Sequence, residues 1–202
     1  MAIKTIIFDL GRVIVPFEFD RAYERMEALT GLNRNEIRSR IGATDLVQRF
    51  ESGQVAPRDF VSRLTGQVGF SMAYEEFCEL WSSIFLPDPL IPTSLVASLG
   101  ERHRLLLLSN TNAIHFDMIR DTVPHISHFD HLVLSYEVGA VKPDSAIYRA
   151  ALDHAECEPA ECFFTDDIPE FVEGARRMGI DAVQFTGYET LLREFRLRGI
   201  EV

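Results

Sequence analysis

The stretch Ile3-Lys4-Thr5-Ile6-Ile7-Phe8-Asp9-Leu10-Gly11 decides how the rest of the chain is read. A short, β-branched, nearly unbroken apolar run that stops at Asp-Leu-Gly predicts a strand buried on both faces. Strands of that kind belong to parallel sheets, because helices cover both sides of them. Four more runs of the same character follow: Arg104-Leu105-Leu106-Leu107-Leu108 ending at Ser109-Asn110, His131 to Leu134, Glu161 to Thr165 ending at Asp166-Asp167, and Ala182 to Phe185. Helical periodicity fills the intervals, over 88–100, 113–122, 145–156, 168–178 and 188–198, with Gly100, Gly179 and Gly199 at C-cap positions. Strand alternating with helix predicts an α/β fold, a doubly wound, Rossmann-like parallel sheet.

Residues 16–86 interrupt the alternation. Helical patterns run over Arg21 to Leu29, Thr44 to Glu51, Asp59 to Leu64 and Tyr74 to Phe85, no strand pattern occurs, and Gly31, Gly53 and Pro57 punctuate them. Pro87-Asp88-Pro89 closes the stretch. The expected organisation is an α/β core of residues 1–15 and 87–202 with a small all-helical cap, 16–86, inserted after the first strand.

Composition narrows the function classes. A hydrophobic content of 47% and a charged content of 25% over 202 residues suit a globular protein with a real core. A net charge of −11 disfavours nucleic acid and anionic membranes, which reward clustered Lys and Arg. No apolar run reaches the ~18 residues of a membrane span, and the N-terminus shows no signal-peptide pattern. Cys78, Cys157 and Cys162 form an odd set without metal or CxxC spacing, so a cytoplasmic location is expected. The absence of coiled-coil heptads leaves a monomer or a homodimer.

The chemistry-bearing residues all fall just past strand ends, the edge at which open α/β sheets bind ligands. Asp9 follows the first strand, Ser109 and Asn110 the second, Lys142 lies in the loop after the third, and Asp166-Asp167 follow the fourth. One carboxylate as nucleophile, further carboxylates for a hard divalent cation, and a Lys and a hydroxyl for phosphate oxygens outline a phosphoryl-transfer site. Each residue alone has a plainer reading. Asp9 suits a turn, Asp166-Asp167 suit a helix N-cap, Lys142 a solvated loop, and Asn110 a turn. Their convergence from four separate stretches favours the functional one.

The four segments Phe8-Asp9-Leu10-Gly11-Arg12-Val13-Ile14, Leu108-Ser109-Asn110-Thr111-Asn112, Lys142-Pro143-Asp144 and Phe164-Thr165-Asp166-Asp167 resemble, in order and spacing, the four motifs of the haloacid-dehalogenase superfamily. Within it, Asp-Leu-Gly in the first motif resembles the bacterial α-D-glucose-1-phosphate phosphatase branch. The resemblance implies a Mg²⁺-dependent phosphatase acting on a small-molecule phosphate ester, a sugar phosphate such as a sugar 1-phosphate. It implies Asp9 as the residue that becomes an aspartyl-phosphate. The metal would be held by Asp9, the Gly11 backbone carbonyl, Asp166 and Asp167. Ser109 and Lys142 are implied as catalytic, and Ser109, Asn110 and Lys142 as substrate-binding.

Two positions depart from that pattern. Most phosphatases of the superfamily carry a second Asp two residues after the nucleophile as general acid and base, and here Gly11 stands there. Such a group is worth ~10²–10⁴-fold. Either a cap residue reaches in, with Glu18, Asp20 and Asp45 as candidates, or the substrate has a readily departing oxygen. Phe171 occupies a position where many relatives have Asp or Asn. Two other functions fit the same residues less well. A metal-independent 2-haloacid dehalogenase would not need Asp166-Asp167, and a non-catalytic phospho-ligand scaffold would not need the nucleophile. His125, His128 and His131, at three-residue intervals, are expected to be ordinary surface or packing histidines rather than ligands.

Overall fold

Five parallel strands form one sheet in the computed structural model, which describes residues 2–202. They are β1 (Thr5–Phe8), β2 (Arg104–Ser109), β3 (His131–Leu134), β4 (Cys162–Asp166) and β5 (Asp181–Gln184), in the order β3-β2-β1-β4-β5. Successive side chains of a strand point to opposite faces, and the two faces bury different halves of the same runs. Ile6, Phe8, Leu105, Leu107 and Phe163 pack on one side, under helices α6 (Thr93–Gly100), α7 (Ala113–Thr122) and α11 (Tyr188–Leu197). Ile7, Leu106, Leu108, Cys162 and Phe164 pack on the other, under α9 (Ser145–Asp153) and α10 (Pro169–Arg177). Leu105 to Leu108 are all fully buried, so truncating any one to Ala would cost about 2–5 kcal/mol.

Five further helices lie between β1 and α6: α1 (Asp20–Thr30), α2 (Arg34–Ile41), α3 (Leu46–Glu51), α4 (Pro57–Val68) and α5 (Tyr74–Ser82). They enclose their own apolar cluster, in which Phe50 stacks on Phe60 at 4.0 Å between centroids and Trp81 crosses Phe60. The chain enters and leaves this helical unit side by side: Glu18 N–H donates to Ile84 O and Leu86 N–H to Pro16 O. Helix α2 was not expected from periodicity. Only Ile37 of its eight residues is buried, and its start is fixed by a capping box between Asn33 and Glu36. A one-turn helix after β3, α8 (Ser135–Val138), is likewise unanticipated.

The helical unit is pinned to the sheet at two points. Ser135 Oγ, at the start of α8, lies 2.6 Å from Glu51 O and accepts a hydrogen bond from Thr111 N–H at 2.9 Å. His115, on α7, lies with Nε2 3.1 Å from Trp81 O and stacks on the Trp81 ring. Of the other histidines, His125 Nε2 bonds Ile91 O and His131 stacks on His154. The three cysteines are free. Among the described residues no helix is long and apolar enough to cross a membrane.

Candidate active site

Strand order places the site. The connection runs from β1 outward to β2 and β3, then returns to the opposite flank of β1 for β4 and β5. At such a switch point the loops diverge and leave a crevice at the carboxyl ends of the strands. The register pairs Phe8 with Thr165, so the next residue on each strand, Asp9 and Asp166, come side by side.

Lys142 stands between them. Its Nζ donates to Asp9 Oδ1 at 2.6 Å, to Asp166 Oδ2 at 2.5 Å and to Leu108 O at 3.1 Å. All three residues are buried: Lys142 is 3% exposed, Asp9 7% and Asp166 0%. Burying charges is tolerable only when they are paired and hydrogen-bonded, and this cluster meets that condition. Burial pushes Asp9 up to about 7 against the pull of Lys142, and the Asp166 charge adds to the rise. Burial works against the Lys142 ammonium, but the charges of Asp9 and Asp166 outweigh it and raise its pKa. Asp167, half-buried, is also raised, by burial first and then by Asp166, with Arg12 opposing.

Carboxylate oxygens of Asp9, Asp166 and Asp167 lie within 4.8 Å of one another. Oxygens around an octahedral Mg²⁺ at about 2.1 Å stand ~3 Å apart when adjacent and ~4 Å when opposite. Three hard oxygen donors at this separation fit such a cation, and the like charges need one. Asp166 Oδ1 also accepts from Ile168 N–H at 2.8 Å in the turn that leads into α10, but the helix itself, with Ile168 at its N-cap position, has no side-chain cap.

Asn110 has a different task from contact with substrate alone. Its Oδ1 accepts from Lys142 N–H at 2.7 Å and its Nδ2 donates to Lys142 O at 3.1 Å. Both ends of the amide thus fix the backbone of the lysine. Ser109 is buried at the end of β2 and, with Asn110 and Thr111, lines a small cavity of about 90 Å³ beside Leu10 and Gly11. Phe171 faces the Lys142 ammonium, which lies 5.2 Å from its ring centre, so the negative face of the ring is turned to the cation.

The space beside Gly11 is taken. A Cβ there would lie 2.8 Å from Cε1 of Phe17. Of the acids expected to compensate, Glu18 is exposed, Asp20 pairs with Arg34 at 2.9 Å, and Asp45 lines a larger cavity of about 420 Å³ inside the helical unit. The acid that reaches the small cavity is Glu51, the last residue of α3. No motif marks it in the sequence. Its placement depends on the Ser135–Glu51 contact between distant segments.

A parallel sheet covered by helices, with acids gathered at its carboxyl edge, defines an α/β protein with its candidate site at the switch point of the sheet. Comparison with family models makes the class specific: the model for "Hydrolase: haloacid dehalogenase-like hydrolase" matches residues 3–179, and the chain belongs to that family. D-ribitol-5-phosphate phosphatase of Bacteroides thetaiotaomicron is 26% identical over 188 residues, covering 90% of this chain and 91% of that one. Phosphatase MT3486 of Mycobacterium tuberculosis is 28% identical over 194 residues, covering 90% and 87%. The crystal structure of the HAD family enzyme bt-2542 from Bacteroides thetaiotaomicron, in complex with magnesium and inorganic phosphate, matches with a TM-score of 0.85 at 26% identity, over 96% of this chain and 100% of that one. The protein is therefore an enzyme, a hydrolase with phosphatases among its relatives.

Proposed function

We propose that the protein is a Mg²⁺-dependent phosphomonoester hydrolase that works through an aspartyl-phosphate on Asp9, and that its substrate is a small phosphorylated metabolite, a sugar phosphate such as a sugar 1-phosphate. The observation that carries this reading is the single buried ammonium of Lys142 shared between Asp9 and Asp166, with Asp167 close enough to complete a three-carboxylate metal site.

Asp9, Asp166, Asp167 and the Gly11 carbonyl would hold the cation, which when bound neutralises and polarises the phosphoryl oxygens. Asp9 Oδ2, left free by Lys142, attacks phosphorus, and the ester oxygen departs with its electron pair. Lys142 offsets the repulsion between the carboxylate and the dianionic ester and holds Asp9 in place for attack. Ser109 donates to a phosphoryl oxygen. Water then cleaves the acyl phosphate and returns Asp9 as a carboxylate. A sugar is supported by the larger cavity, whose wall combines the aromatic rings of Tyr23 and Trp81 with Thr44, Asp45 and Gln48. Such a wall suits a ring with an apolar C–H face and a polar edge. A cytoplasmic location and a monomeric or homodimeric state belong to the same reading.

The test is phosphate release from sugar 1-phosphates, sugar 6-phosphates, ribitol 5-phosphate and p-nitrophenyl phosphate, with Mg²⁺ and with EDTA. Turnover that needs Mg²⁺ and vanishes in Asp9→Asn supports the reading. Turnover that survives Asp9→Asn refutes it.

A further inference from the structure

Position 11 supplies no acid, and the geometry offers another place for one. The Phe17 ring fills the volume that a side chain on Gly11 would need, and it is itself wedged edge-on against Phe19 and Phe85. The small cavity bounded by Gly11, Phe17, Ser109, Asn110 and Thr111 has one acidic side chain in its wall, Glu51. That same side chain lines the larger cavity of the helical unit. The two cavities share Phe19, Glu51, Ile84 and His115, so Glu51 sits at the junction between the cavity beside Gly11 and Ser109 and the larger chamber.

Its setting suits proton transfer. Among the described residues no Lys or Arg forms an ion pair with Glu51, and the neighbouring polar groups are committed elsewhere. His115 is engaged by Asn112 and by Trp81 O, and burial holds it neutral, with its pKa pushed down to about 4. Tyr23 and Asp45 line the larger cavity and not the small one. Burial alone raises the Glu51 carboxyl to about 7, the range in which one group can both give and take a proton. Its position is fixed through its backbone: Ser135 Oγ contacts Glu51 O and accepts from Thr111 N–H, tying the end of α3 to the loop that carries Ser109.

We propose that Glu51 is the general acid and base of the reaction, supplied by the helical unit in place of the side chain that Gly11 lacks. The proposal rests on Asp9 being the nucleophile. In the first half, Asp9 attacks phosphorus, the bond from phosphorus to the ester oxygen breaks, and that oxygen takes the proton of the Glu51 carboxyl as the alcohol leaves. In the second half, the Glu51 carboxylate takes a proton from water, the water oxygen attacks phosphorus, and the bond to Asp9 breaks with its electron pair returning to the carboxylate. Inorganic phosphate departs and Glu51 is again protonated. With an acid at this junction, ordinary alkoxides become competent leaving groups, and turnover is not confined to activated esters.

Glu51→Gln tests this through leaving-group dependence. The measurement is kcat/KM, which reports transfer to Asp9, for p-nitrophenyl phosphate and for the aliphatic ester of the panel turned over best by the wild type. Nitrophenolate leaves without protonation, so its kcat/KM should change little. The aliphatic ester should lose about 10²–10⁴-fold. Loss of the base should also produce a burst of one nitrophenolate per enzyme before a slow steady state. An equal fall for both esters, or no fall for the aliphatic one, overturns the proposal. So does a wild type that accepts the aryl ester and no aliphatic one. Asp9→Asn run alongside separates the two questions, since its residual turnover bears only on the nucleophile.

Discussion

Replacing Glu51 by Gln should slow the enzyme and at the same time stabilise its fold at alkaline pH. The carboxyl moves from its ordinary 4.5 to about 7 on burial, with no charged partner contributing. At about 1.4 kcal/mol per pH unit, ionising it in the folded state costs about 3 kcal/mol. The folded state holds this proton more tightly than the unfolded chain does. The stability associated with Glu51 is therefore fully present below pH 4.5 and declines as pH rises to about 7. Gln keeps the shape and never ionises. The difference in unfolding free energy between Glu51→Gln and wild type should grow by about 2–3 kcal/mol between pH ~5 and pH ~8, then level off. At pH ~8 this corresponds to a gain of about 5–10 °C in Tm for a chain of this size. Urea unfolding of both proteins at several pH values, without Mg²⁺, measures it. A difference that is flat with pH would mean that Glu51 is solvated or paired and is not held poised near neutrality by burial.

Four further substitutions probe the site and its supports. Lys142→Met leaves Asp9 and Asp166 buried without their cation, so it should abolish turnover and cost about 3–5 kcal/mol; adding Asp166→Asn should recover part of the stability, and strict additivity of the two changes by chemical denaturation would contradict the shared-charge picture. Asn110→Ala frees the Lys142 backbone and should lower kcat about 10²-fold with little change in KM; a KM effect alone would make Asn110 a substrate contact instead. Gly174→Ala places a Cβ 2.5 Å from the Tyr148 hydroxyl oxygen, so it should destabilise by about 1–3 kcal/mol in urea unfolding, and a change below about 0.5 kcal/mol would show that the α9–α10 contact yields easily.

What the sequence disclosed follows from how each feature is encoded. The sheet was legible because Ile3 to Phe8 and Arg104 to Leu108 are apolar on both faces, a pattern that a half-exposed strand does not have. The strand-end acids were legible because position after a strand is itself information: Asp9, Ser109, Lys142 and Asp166-Asp167 each follow a run that ends at the same edge. Helix α2 was not legible by periodicity, since Arg34–Ile41 buries one side chain, and what fixes its start is the local capping box of Asn33 with Glu36. The double hydrogen bond from Asn110 to Lys142 was equally hidden, because it joins residues 32 apart whose adjacency depends on β2 and β3 pairing in one register.

Glu51 carries no motif in the sequence, because an acid held by the inserted helices is encoded differently from one beside the nucleophile. An acid two residues after a nucleophile is held by the same turn, so its place is written into a local motif. An acid on the inserted helices is held by tertiary contacts: the length of α3, the turn at Gly53, whose Cβ-free face lies against Tyr136 O, and the Ser135 hydroxyl. None of these leaves a short-range signature. The exchange also changes what the helical unit does. With the acid at position 11, proton transfer would belong wholly to the sheet edge, and the helices would only select the substrate. With the acid on α3, the site lacks its proton donor unless the helical unit is seated on the loop after β2. Phe17 makes the exchange hard to reverse by one step, because any side chain restored at position 11 meets its ring at 2.8 Å. Recognition of the ester and protonation of its oxygen are thereby assigned to the same group of helices.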